Sequence, residues 1–448
     1  MAAVRPVGYV LTVLLLVLAL AACSGPDEKK SKFLEKGKDL YEQEDYVKAR
    51  LEFKNALQID PKFAEPYYYL AKIDIEERNF KAAFGSLNKA VSLKPEMMKA
   101  QLELAKIFLA AREADKAREK IDLVLESEPE NADALLVHAS VLLTEQKTED
   151  ALGLMRVMQE QGEDRQDLYL MLAAAHARIG EVNRIEEILR EGIRRNPDSV
   201  ALHAALGRHY LAKDQTDDAV ALFEEVARMR PEDVGLKLDL ATLLWRLDRK
   251  NEAESVIESA VAADPENEET RMAAARFFLS NNLADKAEKQ LASGLKDLPD
   301  SFQLRFALSE IYANRGDAQR SEAILKECLA LAEDSFAPEI LETKTRLGAL
   351  YLANGELEKA EKAIAEVLEE NPKSIQAHFV KGNILLARGD AVNAVSEFRT
   401  VVGEQPENMT AYLRLGDAHL QNGEIALAED TLHRALAVNP EARRVRIA

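Results

Sequence analysis

The chain has 448 residues, 47% of them hydrophobic and 31% charged, with a formal net charge of −19. That much apolar surface can build a core and argues against a disordered chain. The acidic balance argues against a nucleic-acid binder, which needs a concentrated basic footprint, but it names no partner, because net charge mainly reports solubility and long-range repulsion.

Residues 1–22 carry one positive charge, Arg5, followed by an apolar run from Val7. The run is short for a membrane span, which needs about 20 apolar residues, and fits a cleaved secretory signal. Leu20-Ala21-Ala22-Cys23 resembles the lipobox of bacterial lipoproteins; the alternative is an ordinary secretory signal followed by a chance cysteine. The resemblance implies that Cys23 becomes the lipidated first residue. Ser24, where an aspartate would imply inner-membrane retention, implies the outer membrane, with the chain facing the periplasm. Residues 23–29 then form a lipidated tether of at most about 20 Å from Ser24 to Lys29, and Gly25, Pro26, Asp27 and Glu28 predict unstructured linker.

From Lys30 onward the chain repeats itself. Pro61, Pro95 and Pro129 are 34 residues apart, Pro197 follows after two periods, and Pro231, Pro265 and Pro299 continue the spacing. Pro372, Pro406 and Pro440 resume it. A fixed period of this length marks a repeat architecture. Units closed by these prolines begin at Lys30, Ala64, Met98, Ala132, Gln166, Val200, Val234, Glu268, Phe302, Leu341, Ile375 and Met409. Apolar residues three and four apart form two blocks per unit, which predicts two amphipathic helices. Gly180, Gly316, Gly355, Gly389 and Gly423 mark the turn between them, ending the first helix in the left-handed conformation before an acid opens the second.

Two columns hold small residues. One runs from Gly37 through Ala71 and Ala105 to Gly416, the other from Ala49 through Ala83 to Ala428; both predict close approach of paired helices. Repeat six shows the set as Leu206, Gly207, Tyr210, Ala219, Phe223 and Pro231, and repeat one as Phe33, Gly37, Ala49, Phe53, Ala56 and Pro61. This pattern resembles the tetratricopeptide repeat (TPR) family across residues 30–442. The resemblance implies an all-α, right-handed superhelical solenoid of about twelve helix-turn-helix repeats, with partners bound on a concave face lined by first helices.

Departures are few. Glu163 stands where repeat four should close with proline, and repeat five has Ile185 and Gly192 in alanine positions. Repeat nine, ending the block 30–335, lacks its proline and is followed by an insert, 336–340, before repeats ten to twelve at 341–442. The insert is the one register break, hence either a bend, a loop with its own role, or a harmlessly lengthened connection. A basic tail, 443–448, replaces the usual polar capping helix, so the last repeat, a partner or a second copy must cover that end; otherwise the tail is simply solvated.

No zinc, phosphate-loop, paired-cysteine or nucleophile-elbow motif occurs, and no catalytic residue, cofactor or metal site is expected. Cys328 occupies an alanine column and reads as a buried small residue; once Cys23 is acylated it has no disulfide partner. In the column that the TPR resemblance places on the concave face stand Lys38, Lys72, Lys106, Arg208 and Arg276, with Tyr68, Leu102, Leu136, Leu170, Leu238, Met272, Phe306, Phe379 and Trp245 in neighbouring columns. Lys38, Tyr68, Lys72, Lys106, Arg208, Trp245 and Arg276 are the candidate partner-binding residues, suited to an acidic extended peptide or an anionic polymer. Glu35, Glu65, Glu103, Asp133 and Asp239 lie close enough in the pattern to pair with those cations and leave a solvated groove. The asparagine needed for a co-chaperone carboxylate clamp is replaced by the lysines. The resemblance implies a non-enzymatic, lipid-anchored scaffold for protein partners in envelope export, similar to TPR lipoproteins of exopolysaccharide and exosortase-type systems. The alternatives are a pilus or secretin assembly lipoprotein and a carrier that binds anionic polysaccharide directly.

Overall fold

The computed structural model describes residues 25–331 and 337–439; the leader, Cys23 and the basic tail lie outside them. Every regular element among the described residues is an α-helix, and the chain divides into two compact units, 1–229 and 230–448. The first unit holds α1 Pro26–Glu42, α2 Tyr46–Ile59, α3 Ala64–Glu76, α4 Phe80–Leu93, α5 Met98–Ala110, α6 Ala114–Ser127, α7 Ala132–Thr144, α8 Thr148–Glu160, α9 Gln166–Arg178, α10 Val182–Arg195, α11 Val200–Ala212 and α12 Thr216–Met229. The second holds α13 Val234–Arg246, α14 Lys250–Ala263, α15 Glu268–Ser280, α16 Ala284–Asp297, α17 Phe302–Asn314, α18 Ala318–Leu331, α19 Pro338–Ala353, α20 Leu357–Glu370, α21 Ile375–Ala387, α22 Ala391–Glu404, α23 Met409–Gln421 and α24 Ile425–Val438. Odd-numbered helices open a repeat and even-numbered helices close it.

Within each unit a first helix packs on its own second helix, the second packs on the next first helix, and most successive first helices also touch. First helices therefore crowd together and second helices form the outer layer. The small columns make this possible. A Cβ added to Gly37 would lie 2.5 Å from the Phe53 ring, at Gly207 2.8 Å from Phe223, at Gly348 2.7 Å from Ile364, and at Gly382 2.7 Å from Phe398. Each large side chain fills the space its glycine leaves. In the other column Ala49, Ala83, Ala117, Ala151, Ala219, Ala253, Ala287, Ala360 and Ala394 are fully buried.

The turn inside each repeat is the same twelve times, and only part of it was visible as glycine. Glu44, Arg78, Arg112, Gln146, Asp214, Asp248 and Asn282 occupy the position of Gly180, Gly316, Gly355, Gly389 and Gly423, all with φ between 58° and 79°. The following amide closes the helix onto the carbonyl five residues back, as in Asp45 to Leu40 (2.9 Å) and Asp390 to Leu385 (2.9 Å). This satisfies an orphan carbonyl at the helix end.

Polar links also recur between repeats. Arg50 on α2 donates to Asp74 and Glu77, both at 2.7 Å, and Arg118 on α6 holds Glu145. The same position is acidic later, where Glu186, Glu288 and Glu322 accept from the hydroxyls of Tyr210 (2.9 Å), Tyr312 (3.0 Å) and Tyr351 (2.8 Å) in the next repeat. The tyrosine of the repeat pattern is thus an inter-repeat fastener.

Two expectations require correction. The stretch Pro26 to Lys29 is not linker: α1 starts at Pro26, with Asp27 and Glu28 in its first turn. Proline at the first helical position loses no hydrogen bond, and acids there favour the helix dipole. Residues 338–340 of the insert likewise extend the first helix of repeat ten, with Pro338 at its first turn and Ile340 buried. The division into two compact units falls not there but between residues 229 and 230, inside regular repeat sequence.

Candidate functional site

In the first unit, the first helices α1, α3 and α5 bring Lys38, Tyr68, Lys72 and Lys106 to one face. Tyr41 and Tyr69 lie 6.0 Å apart edge to face, Tyr69 stacks on Phe53 at 5.2 Å, and Tyr68 meets Tyr69 edge-on at 5.3 Å. Lys38 sits over the Tyr69 ring at 5.7 Å and Lys72 over Tyr41 at 4.7 Å. Cations over phenol faces are held electrostatically by the ring quadrupole. Burial, followed by the charge of Glu103, pushes the Tyr68 hydroxyl well above its ordinary value. Tyr41 is raised by burial and then by Glu76 and Glu103. Both phenols stay neutral donors at physiological pH.

Two lysines of the ladder already have carboxylate partners: Lys38 bonds Glu35 at 2.7 Å and Lys106 bonds Glu103 at 2.9 Å. Partial burial pulls the Lys38 ammonium down, and Glu35 outweighs it, so the group ends above the ordinary lysine value. Glu65 and Asp133, by contrast, turn to Lys94 and Arg165. The face is a mixed-charge, tyrosine-rich surface rather than a bare row of cations. Arg208 on α11 is exposed further along the same unit.

Trp245 and Arg276 belong to the second unit. Trp245 is half-buried against Phe277, ring centroids 5.9 Å apart and nearly perpendicular, with the Lys250 ammonium 5.6 Å from its ring. Arg276 is exposed beside Phe277. The other groove column expected from sequence is partly withdrawn: Leu102, Leu136 and Phe306 are buried between helices, because close packing of successive first helices turns that position inward.

In repeats ten to twelve the expected concave column, which there holds Ala349, Asn383 and Asp417 with Phe379 beside it, joins a leucine column that sequence reading missed. There a groove of about 630 Å³ has a floor of Ala349, Leu352, Ala353, Phe379, Leu386 and Ala387, and a rim that includes Asn383, Arg414 and Asp417. Alanines leave the space and leucines line it; Leu420, in the same column, is 51% exposed. The periodic leucines were visible in the sequence, but nothing there separated them from core. Such a groove takes apolar side chains of a partner, with polar rim groups setting orientation.

The histidines do not converge. His176 bonds Glu181 at 2.8 Å and His419 bonds Glu424 at 2.6 Å, each within its own repeat, while His378 bonds the Pro372 carbonyl that closes the repeat before it at 2.9 Å. Among the described residues no group of three His, Cys, Asp or Glu side chains is placed to hold a metal. Cys328 is fully buried, and burial pushes its thiol up to about 11, far from thiolate reactivity.

A profile of the cytochrome c-type biogenesis protein H TPR domain matches residues 24–169. Tetratricopeptide repeat profiles match 170–234 and 345–409, then 210–276, 251–311 and 385–448, and also 302–335. No curated protein matches significantly. Among solved structures, the chain is similar to one in Naa15/Naa10 bound to HypK-THB, with 17% identity, a TM-score of 0.43, and coverage of 95% of this chain and 65% of that one. It is also similar to the P58(IPK) TPR domain, at 15% identity and a TM-score of 0.28 over 88% and 98% of the two chains. PilW, a widely conserved type IV pilus biogenesis factor, follows at 19% identity and a TM-score of 0.38 over 48% and 97%. These likenesses carry no argument on function. The twelve helix pairs, their shared turn and packing columns, and profile matches along almost the whole length make this chain a tetratricopeptide repeat protein.

Proposed function

We propose that the chain is a non-catalytic scaffold, lipid-anchored through Cys23 at the periplasmic side of the outer membrane, that holds protein partners of an export or assembly machine in the bacterial envelope. The observation that carries this reading is the pair of chemically different surfaces on its first helices. One is a tyrosine–lysine face in repeats one to three, the other an apolar groove in repeats ten to twelve. Two surfaces of unlike chemistry suit two unlike partners, which is the work of a scaffold. The match of residues 24–169 to a TPR domain named for cytochrome c-type biogenesis supports an assembly role. Export of surface polysaccharide or surface protein of the exosortase type is the specific system proposed, on the lipobox followed closely by a long repeat array.

The test is capture from detergent-solubilised envelopes with the lipidated chain beside a Cys23→Ser version, followed by mass spectrometry. Outer-membrane export or pore proteins recovered with the native chain support the scaffold. Polysaccharide recovered without protein defeats it. The tyrosine–lysine face gives the polysaccharide carrier its one specific support. Reversing Lys38, Lys72 and Lys106 to glutamate should weaken an anionic polymer at least about tenfold at low salt, and leave partners of the apolar groove unchanged.

A further inference from the structure

The outer layer of the first two repeats differs from the rest of the chain. Val47 and Leu51 on α2 are 82% and 57% exposed, and Phe80 and Phe84 on α4 are 56% and 37% exposed. Each pair is four residues apart and so shares one helix face. Lys48, Lys54, Lys81 and Lys89 are exposed on the same two helices. The one carboxylate on α2, Glu52, is buried and paired with Lys36 at 2.6 Å, and α4 carries none. Of the acids flanking these helices, Asp45 is held by Lys48, Glu77 by Arg50 and Asp60 by Lys30, and Glu44 and Glu96 lie exposed in the adjoining turns. Each of the ten other second helices bears at least one exposed carboxylate, as α6 does with Asp115, Glu119, Asp122 and Glu126. A chain of net charge −19 therefore carries, near its N-terminal end, two second helices that expose apolar side chains and lysines and no carboxylate.

We infer that the outer faces of α2 and α4 form a docking surface for an anionic phospholipid membrane. Exposed aliphatic and aromatic side chains among lysines are what an interfacial surface needs: apolar groups enter the headgroup boundary while ammoniums meet lipid phosphates. Position agrees with charge. The first turn of α1 is tied to the C-terminal end of α2 by Lys30 and Asp60 at 2.7 Å, and α2, at 14 residues, is only about 20 Å long. Cys23 is three residues before Pro26, so an acyl anchor there brings this face within reach of the bilayer. The inference rests on the membrane-anchored reading of Cys23. It adds a second contact that lays repeats one and two along the surface and leaves the first-helix faces free for partners.

The mature chain with Cys23→Ser, which lacks the anchor, should float with phosphatidylethanolamine vesicles doped with phosphatidylglycerol, float poorly with phosphatidylcholine vesicles, and come off at high salt. Lys54→Glu, Lys81→Glu and Lys89→Glu together should lower partitioning at least about tenfold. Val47→Ser with Phe80→Ser should lower it at any salt concentration. Both variants alter exposed positions and should keep the parent circular dichroism and melting curve. No binding of the parent to anionic vesicles, or binding untouched by the lysine reversals, overturns the inference. So does a vesicle-inert face that proves necessary for capturing an envelope protein. Mass spectrometry of Cys23 in the native chain tests the anchor separately. Acylated Cys23 with vesicle-inert repeats removes this inference and leaves the scaffold standing; vesicle-binding repeats with unmodified Cys23 do the reverse.

Discussion

Single positions in this chain are set by space and backbone conformation more than by side-chain chemistry. At Gly382 an added Cβ would meet the Phe398 ring at 2.7 Å, and that ring is fully buried. Gly382→Ala should therefore cost about 1–3 kcal/mol, read as a lower urea midpoint with unchanged helical content. The left-handed turn residues give the opposite expectation. Gln146 has φ 63°, where a side chain is strained and glycine is not. Gln146→Gly should raise stability by about 0.5–1 kcal/mol in the same assay. The glycine turns were readable from the sequence. The other seven were not, because Glu, Arg and Gln carry no mark of positive φ, and Asp and Asn, though enriched there, are common elsewhere too; the hydrogen bonds closing each first helix reveal them.

Helices are joined by packing and by a polar link repeated at one position. Where Arg118 holds Glu145, hydrogen bonds from Arg118 and then Lys147 lower the carboxyl from 4.5 to about 2. A carboxyl depressed on folding contributes stability that is present above its unfolded value and lost as pH falls through the folded one. The link between α6 and the turn after α7 should thus weaken as pH drops from about 4.5 towards 2. Glu145→Gln should flatten the acid limb of the stability curve over that window and leave the neutral side nearly parallel. The candidate surfaces also belong to this scale. Lys38, Tyr68, Lys72 and Lys106 could be placed on one face by counting repeats. Whether they were paired could not, since Glu35 turned to Lys38 while Glu65 turned to Lys94, a choice made by neighbouring helices.

Across the molecule, each repeat contacts little beyond its neighbours, so stability accumulates from intrinsic terms and nearest-neighbour interfaces. The last described helix, α24, leaves Ile425 71%, Leu427 44% and Val438 48% exposed, whereas α20 buries Ala360, Ile364 and Val367 between neighbours. Hydrogen exchange should find α24 amides less protected than those of α20. Equal protection would mean that the C-terminal end is covered in solution.

The period of 34, the two small columns and the alternating apolar blocks determined the all-α repeat fold from sequence alone, because each is a local rule that recurs in nearly every repeat. The tertiary structure decided which apolar side chains remain available. Leu102 and Phe306 went into the stack, Leu352 and Leu386 became a groove floor, and Phe80 and Val47 stayed on the outside among lysines. Periodicity tells which side of a helix is apolar. Only the packing of one helix against the next decides how much of that side is covered.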